Sequence, residues 1–350
     1  MHMLRLLPVL LAVTGLARAE DNYDIKVYPC PRAESPLTVD GALDEPAWQA
    51  APLVSGFTRY DKPEVLAVQA YFRVLHDEQR LYFGVVCDEP LIERLAPVAQ
   101  GRDTHAVFDG EALEVFIDPR HDLNYYQLAA NAAGSVWDSR GSDTAWNAQV
   151  SAAAKLDPAR KQWSLEFAVP FRDLGITPTA GAVLGFNVCR NRYLGSSREW
   201  SNWAQTKANF HDPERFAHLV LDPTPERLAA LAPEFRKGER RGPLAIYSNE
   251  GFANRSYLAL ARDSLRRVEQ QLANLQQVAR KQQDAATREE LAKRLEAYRE
   301  EIRPFQTQVG GEDSLDAAAW MRIDLRAEQL VQELGDALWE ARLTALLSGI

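Results

Sequence analysis

The chain has 350 residues, of which 46% are hydrophobic, 25% charged and 9% aromatic. That make-up belongs to globular proteins, excludes disorder and collagen-like repeats, and leaves room for about two domains. With 40 Lys and Arg against 49 Asp and Glu the formal charge is −9, and no basic stripe suited to phosphates or anionic lipid runs through it, so nucleic acid is not an expected partner.

Taken in chain order, Met1 to Arg5 is a short cationic start, Leu6 to Leu16 is mostly apolar, and Ala17-Arg18-Ala19 is a small-x-small site, which together read as a secretory signal peptide over residues 1–19. The expected mature chain starts near Glu20 and is periplasmic or secreted. No later run reaches the ~20 apolar residues that a membrane helix needs. Cys30, Cys87 and Cys189 would permit one disulfide and one spare thiol in an oxidising compartment. The pairing is open, and the apolar runs LYFGVVC and GFNVC suit buried thiols at Cys87 and Cys189.

From Leu37 to about Leu221 short runs rich in Val, Phe, Tyr and Leu are broken every ten residues or so by Asp, Gly, Pro and Asn, the texture of strands. VQAYFRVL and LYFGVVCD flank the polar HDEQR and read as a hairpin; ALEVFIDP, YYQLAANAAG, SVWDSR, QVSAAAKLD, QWSLEFAVP, VLGFNVCRNRYL and FAHLVLD continue the series. About nine strands predict an all-β antiparallel sandwich over residues 20–222. Residues 223–253, with PTPE and LAALAPEFRKGERRGP, read as a linker. Over residues 254–350 the pattern becomes helical: Leu258, Ala261, Leu265, Val268, Leu272, Leu275 and Ala279 form one seam and Leu291, Leu295, Tyr298, Ile302 and Phe305 another. Between them Thr287 with Glu290 is a capping-box pattern that allows a turn and a fresh helix start, with a stutter in one long helix as the alternative. A last helix from Asp313 or Ser314 to about Leu347 gives a helical hairpin or three-helix bundle, with a coiled coil as the extended alternative.

Glycine-rich phosphate loops, a Gly-x-Ser-x-Gly elbow and a His-Glu-x-x-His helix are absent. His211 and His218 are close in sequence but carry no metal-ligand spacing. Phe108, Tyr125, Tyr126, Trp137, Trp146, Tyr193, Trp200 and Trp203 lie in or beside segments dense in Asn, Asp, Gln and Arg. Flat rings beside planar polar groups suit sugars, whose C–H faces stack on aromatics while their hydroxyls need donors and acceptors. Trp48, Trp137 and Trp163 sit in alternating apolar contexts that favour the core; Trp200 and Trp203, in SSREWSNWAQTKANFHDP, have fewer apolar neighbours and are the expected surface rings. In LEVFID, period two turns Glu114 away from the apolar face. Asp109, Glu111, Asp138 and Asp143 are loop carboxylates able to hold calcium, though not at EF-hand spacing.

LTVDGALDEPAWQAAP, LYFGVVCDEP, DGEALEVFIDPR, YYQLAANAAGSVWD, WSLEFAVPFRDLG, GFNVCRNR and EWSNW followed by FHDPERFAHLVLD, in that order, resemble the family 9 carbohydrate-binding modules over roughly residues 24–222. The resemblance implies a DOMON-like β-sandwich that clamps a terminal sugar between two rings, with structural calcium allowed and no cofactor required. Its ring positions fall on Phe108, where a Trp is typical, and on Trp200 or Trp203. Glu114 matches the carboxylate that accepts sugar hydroxyls, and further polar contacts are sought at Gln127, Asn131, Asn187 and Arg190. The expected function is non-catalytic glycan binding, with Trp200→Ala or Trp203→Ala weakening affinity without unfolding the sandwich. Three alternatives accompany it: a glycoside hydrolase, or accessory subunit of one, pairing Glu114 with Asp109; a haem-binding sandwich, for which the sandwich lacks a Met; and a scaffold that self-associates or recruits a partner protein through the helical tail.

Overall fold

The computed structural model describes residues 25–347 apart from 96, 100, 194–197, 236–243 and 253–254. The signal-peptide reading of residues 1–19 and the mature start at Glu20 lie outside the described residues.

All nine expected strands form: β3 (Ala70–His76), β4 (Arg80–Asp88), β5 (Ala112–Asp118), β6 (Tyr126–Asn131), β7 (Val136–Arg140), β8 (Ser151–Asp157), β9 (Gln162–Pro170), β10 (Val183–Arg192) and β12 (Ala217–Leu221). Additional strands are β1 (Ile25–Cys30), β2 (Thr58–Arg59), β11 (Glu199–Asn202), β13 (Leu244–Ile246), β14 (Gly251–Phe252) and β15 (Arg255–Ser256). The larger sheet runs β13-β1-β12-β10-β5-β6-β7, with β11 on β10 and β2 on β11; the smaller runs β3-β4-β9-β8. The antiparallel expectation needs one correction, because β1 lies parallel to both β12 and β13. Strand direction at a sheet edge is set by where the chain returns, which alternation within a strand does not encode.

Period-two alternation packs the sheets. Leu113, Val115 and Ile117 of β5 and Leu184, Phe186 and Val188 of β10 meet Phe72, Val74, Phe83, Val85, Leu165 and Phe167 of the smaller sheet in one buried cluster. Cys30, Cys87 and Cys189 are buried free thiols, so the permitted disulfide is not formed. LTVDGALDEPAW straps the outside of the smaller sheet: Asp40 and Gly41 donate backbone N–H to buried Glu166, and Trp48 Nε1 reaches its other oxygen at 3.1 Å. Gly41 takes φ +88°, where a Cβ would lie 2.9 Å from the Ala154 backbone, so only glycine lets the strap come this close.

The stretch expected as a linker is built into the fold. It carries α1 (Pro225–Phe235), whose Leu231 is buried, and β13, which extends the larger sheet. Apolar residues inside a charged stretch, Leu231, Ala245 and Tyr247, supply the burial that its composition conceals. Three long helices follow: α2 (Tyr257–Lys281), α3 (Ala285–Gly311) and α4 (Ala317–Leu347). The break falls where expected, but Asp284 is the α3 cap, accepting from Thr287 N at 2.7 Å, and Asp316 does the same for Ala319 N at the start of α4. The α2 seam divides. Tyr257, Leu258, Ala261 and Leu265 complete the sandwich core, whereas Val268, Leu272, Leu275 and Ala279 meet Leu291, Leu295 and Ile302 of α3 and Leu330, Leu334 and Ala337 of α4. The seams are thus occupied within the chain. No helix among the described residues is long and apolar enough to cross a membrane.

Candidate functional site

The outer face of the larger sheet gathers the polar and aromatic residues. Glu114 of β5 is paired with Cys189 of β10 and Ala129 of β6; Ala129 is paired with Trp137, and Cys189 with Asn202. Two residues along, Ala112 is paired with Asn131 and Asn191, and Asn191 with Trp200. In the other direction Phe116 is paired with Gln127 and Asn187. Trp137 and Trp200 therefore flank Glu114 from opposite sides, with the small side chains of Ala112, Ala129 and Cys189 between them. The end of this face around Phe116 is closed by an apolar cluster of Phe116, Cys189, Phe210 and Phe216 with Tyr60 and Tyr125, and Tyr125 Oη bonds His211 Nδ1 at 2.9 Å.

Between the rings lies a recessed polar floor. Glu114 is 5% exposed and accepts from Gln127 Nε2 at 2.5 Å and Asn191 Nδ2 at 2.6 Å. Burial pushes its carboxyl above the ordinary value, against the lowering effect of these two hydrogen bonds. Ser139 Oγ donates to Gln127 Oε1 at 3.3 Å, fixing that amide at both ends. On one side, Phe108 sits half-buried in a short 3-10 helix (His105–Asp109) and meets the Trp137 ring edge-on at 5.6 Å. On the other, Trp200 is 37% exposed and rests on Tyr60 at 5.5 Å.

Of the expected ligand residues, the structure brings Phe108, Glu114, Gln127 and Trp200 to this face. Asn131, at its rim, is committed to the β6–β7 turn, accepting from Ala133 N and Ser135 N at 3.0 Å and donating to Val98 O. Three expectations are corrected. Trp203 is 0% exposed, packed on Phe72 and Phe186, with Nε1 donating to Ser55 O at 3.1 Å. Its polar neighbours Ser201, Asn202 and Thr206 are themselves buried, Asn202 donating to Thr206 Oγ1 at 2.7 Å, so a polar context does not mark a surface here. Asn187 is covered by the segment after β11 and pins Ala204 through both its amide atoms at 2.9 Å. Arg190 points inward, where Glu89, Glu111 and the Gln69 carbonyl surround its guanidinium at 3.1–3.3 Å. Hydrogen bonds with two carboxylates make that burial tolerable.

Sequence reasoning misses Asn191, Trp137 and Tyr60 as site residues. Strict alternation along β10 marks Asn187, Cys189 and Asn191 as outward and Arg190 as inward, so the signal for Asn191 is present in the chain. The apolar neighbours that argue for a core Trp137 belong to the opposite face.

The four candidate calcium ligands do not form a cage. Glu111 is committed to Arg190, Trp163 Nε1 and Tyr193 N; Asp138 is ion-paired to Arg102; Asp109 and Asp143 are exposed. Among the described residues no group of three His, Cys, Asp or Glu could hold a metal. A separate groove of about 400 Å³ by the β3–β4 turn is lined by Arg80, Phe171, Arg172 and Ile176, and its ring, Phe171, is buried, leaving no stacking surface there.

Similar solved structures include the family 9 carbohydrate-binding module of Caldicellulosiruptor kristjanssonii in complex with cellotriose, 16% identical, covering 62% of this chain and 100% of that one with a TM-score of 0.44. The same module with glucose is 16% identical, covers 56% of this chain and 96% of that one, and has a TM-score of 0.42. A Bacteroides uniformis protein is 16% identical, covers 56% and 99% respectively, and has a TM-score of 0.45. A search of curated proteins finds no match. The family model described as carbohydrate family 9 binding domain-like matches residues 39–224, more than half of the chain. Over that span, which contains the smaller sheet and the larger one except β1 and β13, and none of the α-helices, the protein belongs to the family 9 carbohydrate-binding modules.

Proposed function

We propose that this is a secreted, non-catalytic glycan-binding protein that holds a sugar in the crevice between Trp200 and the Phe108–Trp137 pair. The observation that carries the reading is the partly exposed indole of Trp200 on the same sheet face as that ring pair, with the polar residues Glu114, Gln127 and Asn191 between them, on a fold whose family binds carbohydrate. An indole supplies an apolar ledge for the C–H face of a pyranose, and the amides below match its hydroxyls. The signal-like pattern of residues 1–19 supports secretion. A hydrolase would need a second carboxylate held at a defined distance from Glu114. Glu114 is instead engaged by two amides, and Asp109 is exposed on a separate element. The helices complete the sandwich core, so we assign them a supporting role.

The test is a glycan array, cello-oligosaccharides included, probed with the full mature chain and followed by calorimetry on any hit. Binding that Trp200→Ala weakens supports the reading; absence of binding across the array rejects it. Release of reducing ends from the bound glycan would reject the non-catalytic part.

A further inference from the structure

A carboxylate can only accept hydrogen bonds, whereas a primary amide has one donating and one accepting end. Because Glu114 Oε2 takes Gln127 Nε2 and Oε1 takes Asn191 Nδ2, both amides must turn their nitrogens toward it and their oxygens away. The Gln127 oxygen is taken by Ser139. Asn191 Oδ1 has no hydrogen-bond partner among the described residues, and it is not one of the sealed, unsatisfied side-chain atoms. It is therefore not fully sealed from solvent, although Asn191 as a whole is only 5% exposed, and it lies on the same side of the sheet as Trp200, its cross-strand neighbour.

We propose that Glu114 is a positioning residue and not a ligand contact: as a carboxylate it fixes the polarity of the floor, so that Asn191 presents an acceptor and the crevice selects a sugar hydroxyl that donates. This deepens, and rests on, the carbohydrate reading of the same crevice. A proton on Glu114 removes the constraint, since a neutral carboxyl can donate through one oxygen and allow the Asn191 amide to turn over. The groups packed around it leave Glu114 in control of this change. From β10 comes Cys189, whose thiol is held protonated by burial and by the Glu114 charge. From β6 come Gln127 and Ala129, from β7 Trp137 and Ser139, and from β11 Asn202, none of which is titratable. The short helix above brings His105, which packs on Trp137. Burial raises the Glu114 carboxyl, so the proton arrives above the group's ordinary value. A ligand that donates to Asn191 favours the carboxylate; affinity is full above that point and falls as the pH drops through it.

The experiment follows the side-chain amide resonances of Asn191 and Gln127 in the ¹⁵N-labelled full mature chain, from neutral pH down to the acid limit of the folded state. The two amides should move together with one midpoint above the ordinary glutamate value. A saturating glycan from the array should displace that midpoint downward, with affinity falling at least tenfold across the same window. Glu114→Gln should weaken binding at neutral pH and flatten its pH profile. Amides that stay still or move at different midpoints overturn the proposal, as does a folded Glu114→Gln protein with wild-type affinity and pH profile. The resonances of the unmodified protein decide the matter even where that variant does not fold. Co-titration of the amides without any glycan binding would support the brace and reject the carbohydrate reading, whereas pH-independent binding with silent amides would do the reverse.

Discussion

Replacing Trp200 and Trp203 separately distinguishes a binding ring from a core ring only three residues away. Trp200 is 37% exposed. For an indole side chain of roughly 250 Å² that is about 90 Å² open to a ligand. Covering all of it at about 25 cal/mol per Å² gives an upper bound of about 2.3 kcal/mol, and a sugar covering half gives about 1.1 kcal/mol. The expected loss of affinity in Trp200→Ala is thus between about 7-fold and 50-fold. Its unfolding midpoint should move little, since the indole packs edge-on against Tyr60 at the surface and fills no part of the core. Trp203 is 0% exposed, so Trp203→Ala should instead cost about 3–5 kcal/mol of stability by opening a cavity among Phe72, Phe186 and Tyr247. Calorimetric titration with the glycan and urea unfolding of each variant measure the two effects. A Trp200→Ala protein with unchanged affinity, or a Trp203→Ala protein with unchanged stability, would refute this assignment.

Arg190→Met strands Glu89 and Glu111 in the interior and should lower unfolding stability by about 3–5 kcal/mol in a urea titration. For Glu89, burial pushes the carboxyl up, but hydrogen bonds from Arg192 and Leu91 N–H and the charges of Arg192 and Arg190 outweigh it and hold the group below its ordinary value. Its stabilisation is therefore full above the unfolded value of about 4.3 and lost as the pH falls below it; melting curves between pH 6 and 3 should show this acid slope flattened in Glu89→Gln. Excess chelator should leave the melting temperature unchanged, because basic side chains already engage Glu111 and Asp138; a clear drop in differential scanning fluorimetry would restore a structural metal. A chain ending at Thr224 should fail to give a soluble, cooperatively unfolding product. It loses Tyr247, Phe252, Tyr257, Leu258 and Leu265 from the shared core, at about 1.5–3 kcal/mol each when buried, against a total stability of about 5–15 kcal/mol.

The sequence by itself determines whatever depends on neighbours along the chain. Alternation along β5 places Glu114 outward, the α2 and α3 seams are written in the spacing of Leu and Ala, and a turn signal marks the break before α3. The order of the motifs carries the family. The tertiary structure decides which long-range partners those faces meet. Trp200 and Trp203 share one polar sequence context, yet one lies open on Tyr60 and the other fills the core. Arg190 is an internal cation because Glu89 and Glu111, distant in sequence, converge on it. The connector and helices join the sandwich because its core is closed by residues from both. Local periodicity is a property of the backbone and can be read along the chain, whereas burial depends on what the fold brings across the gap from elsewhere.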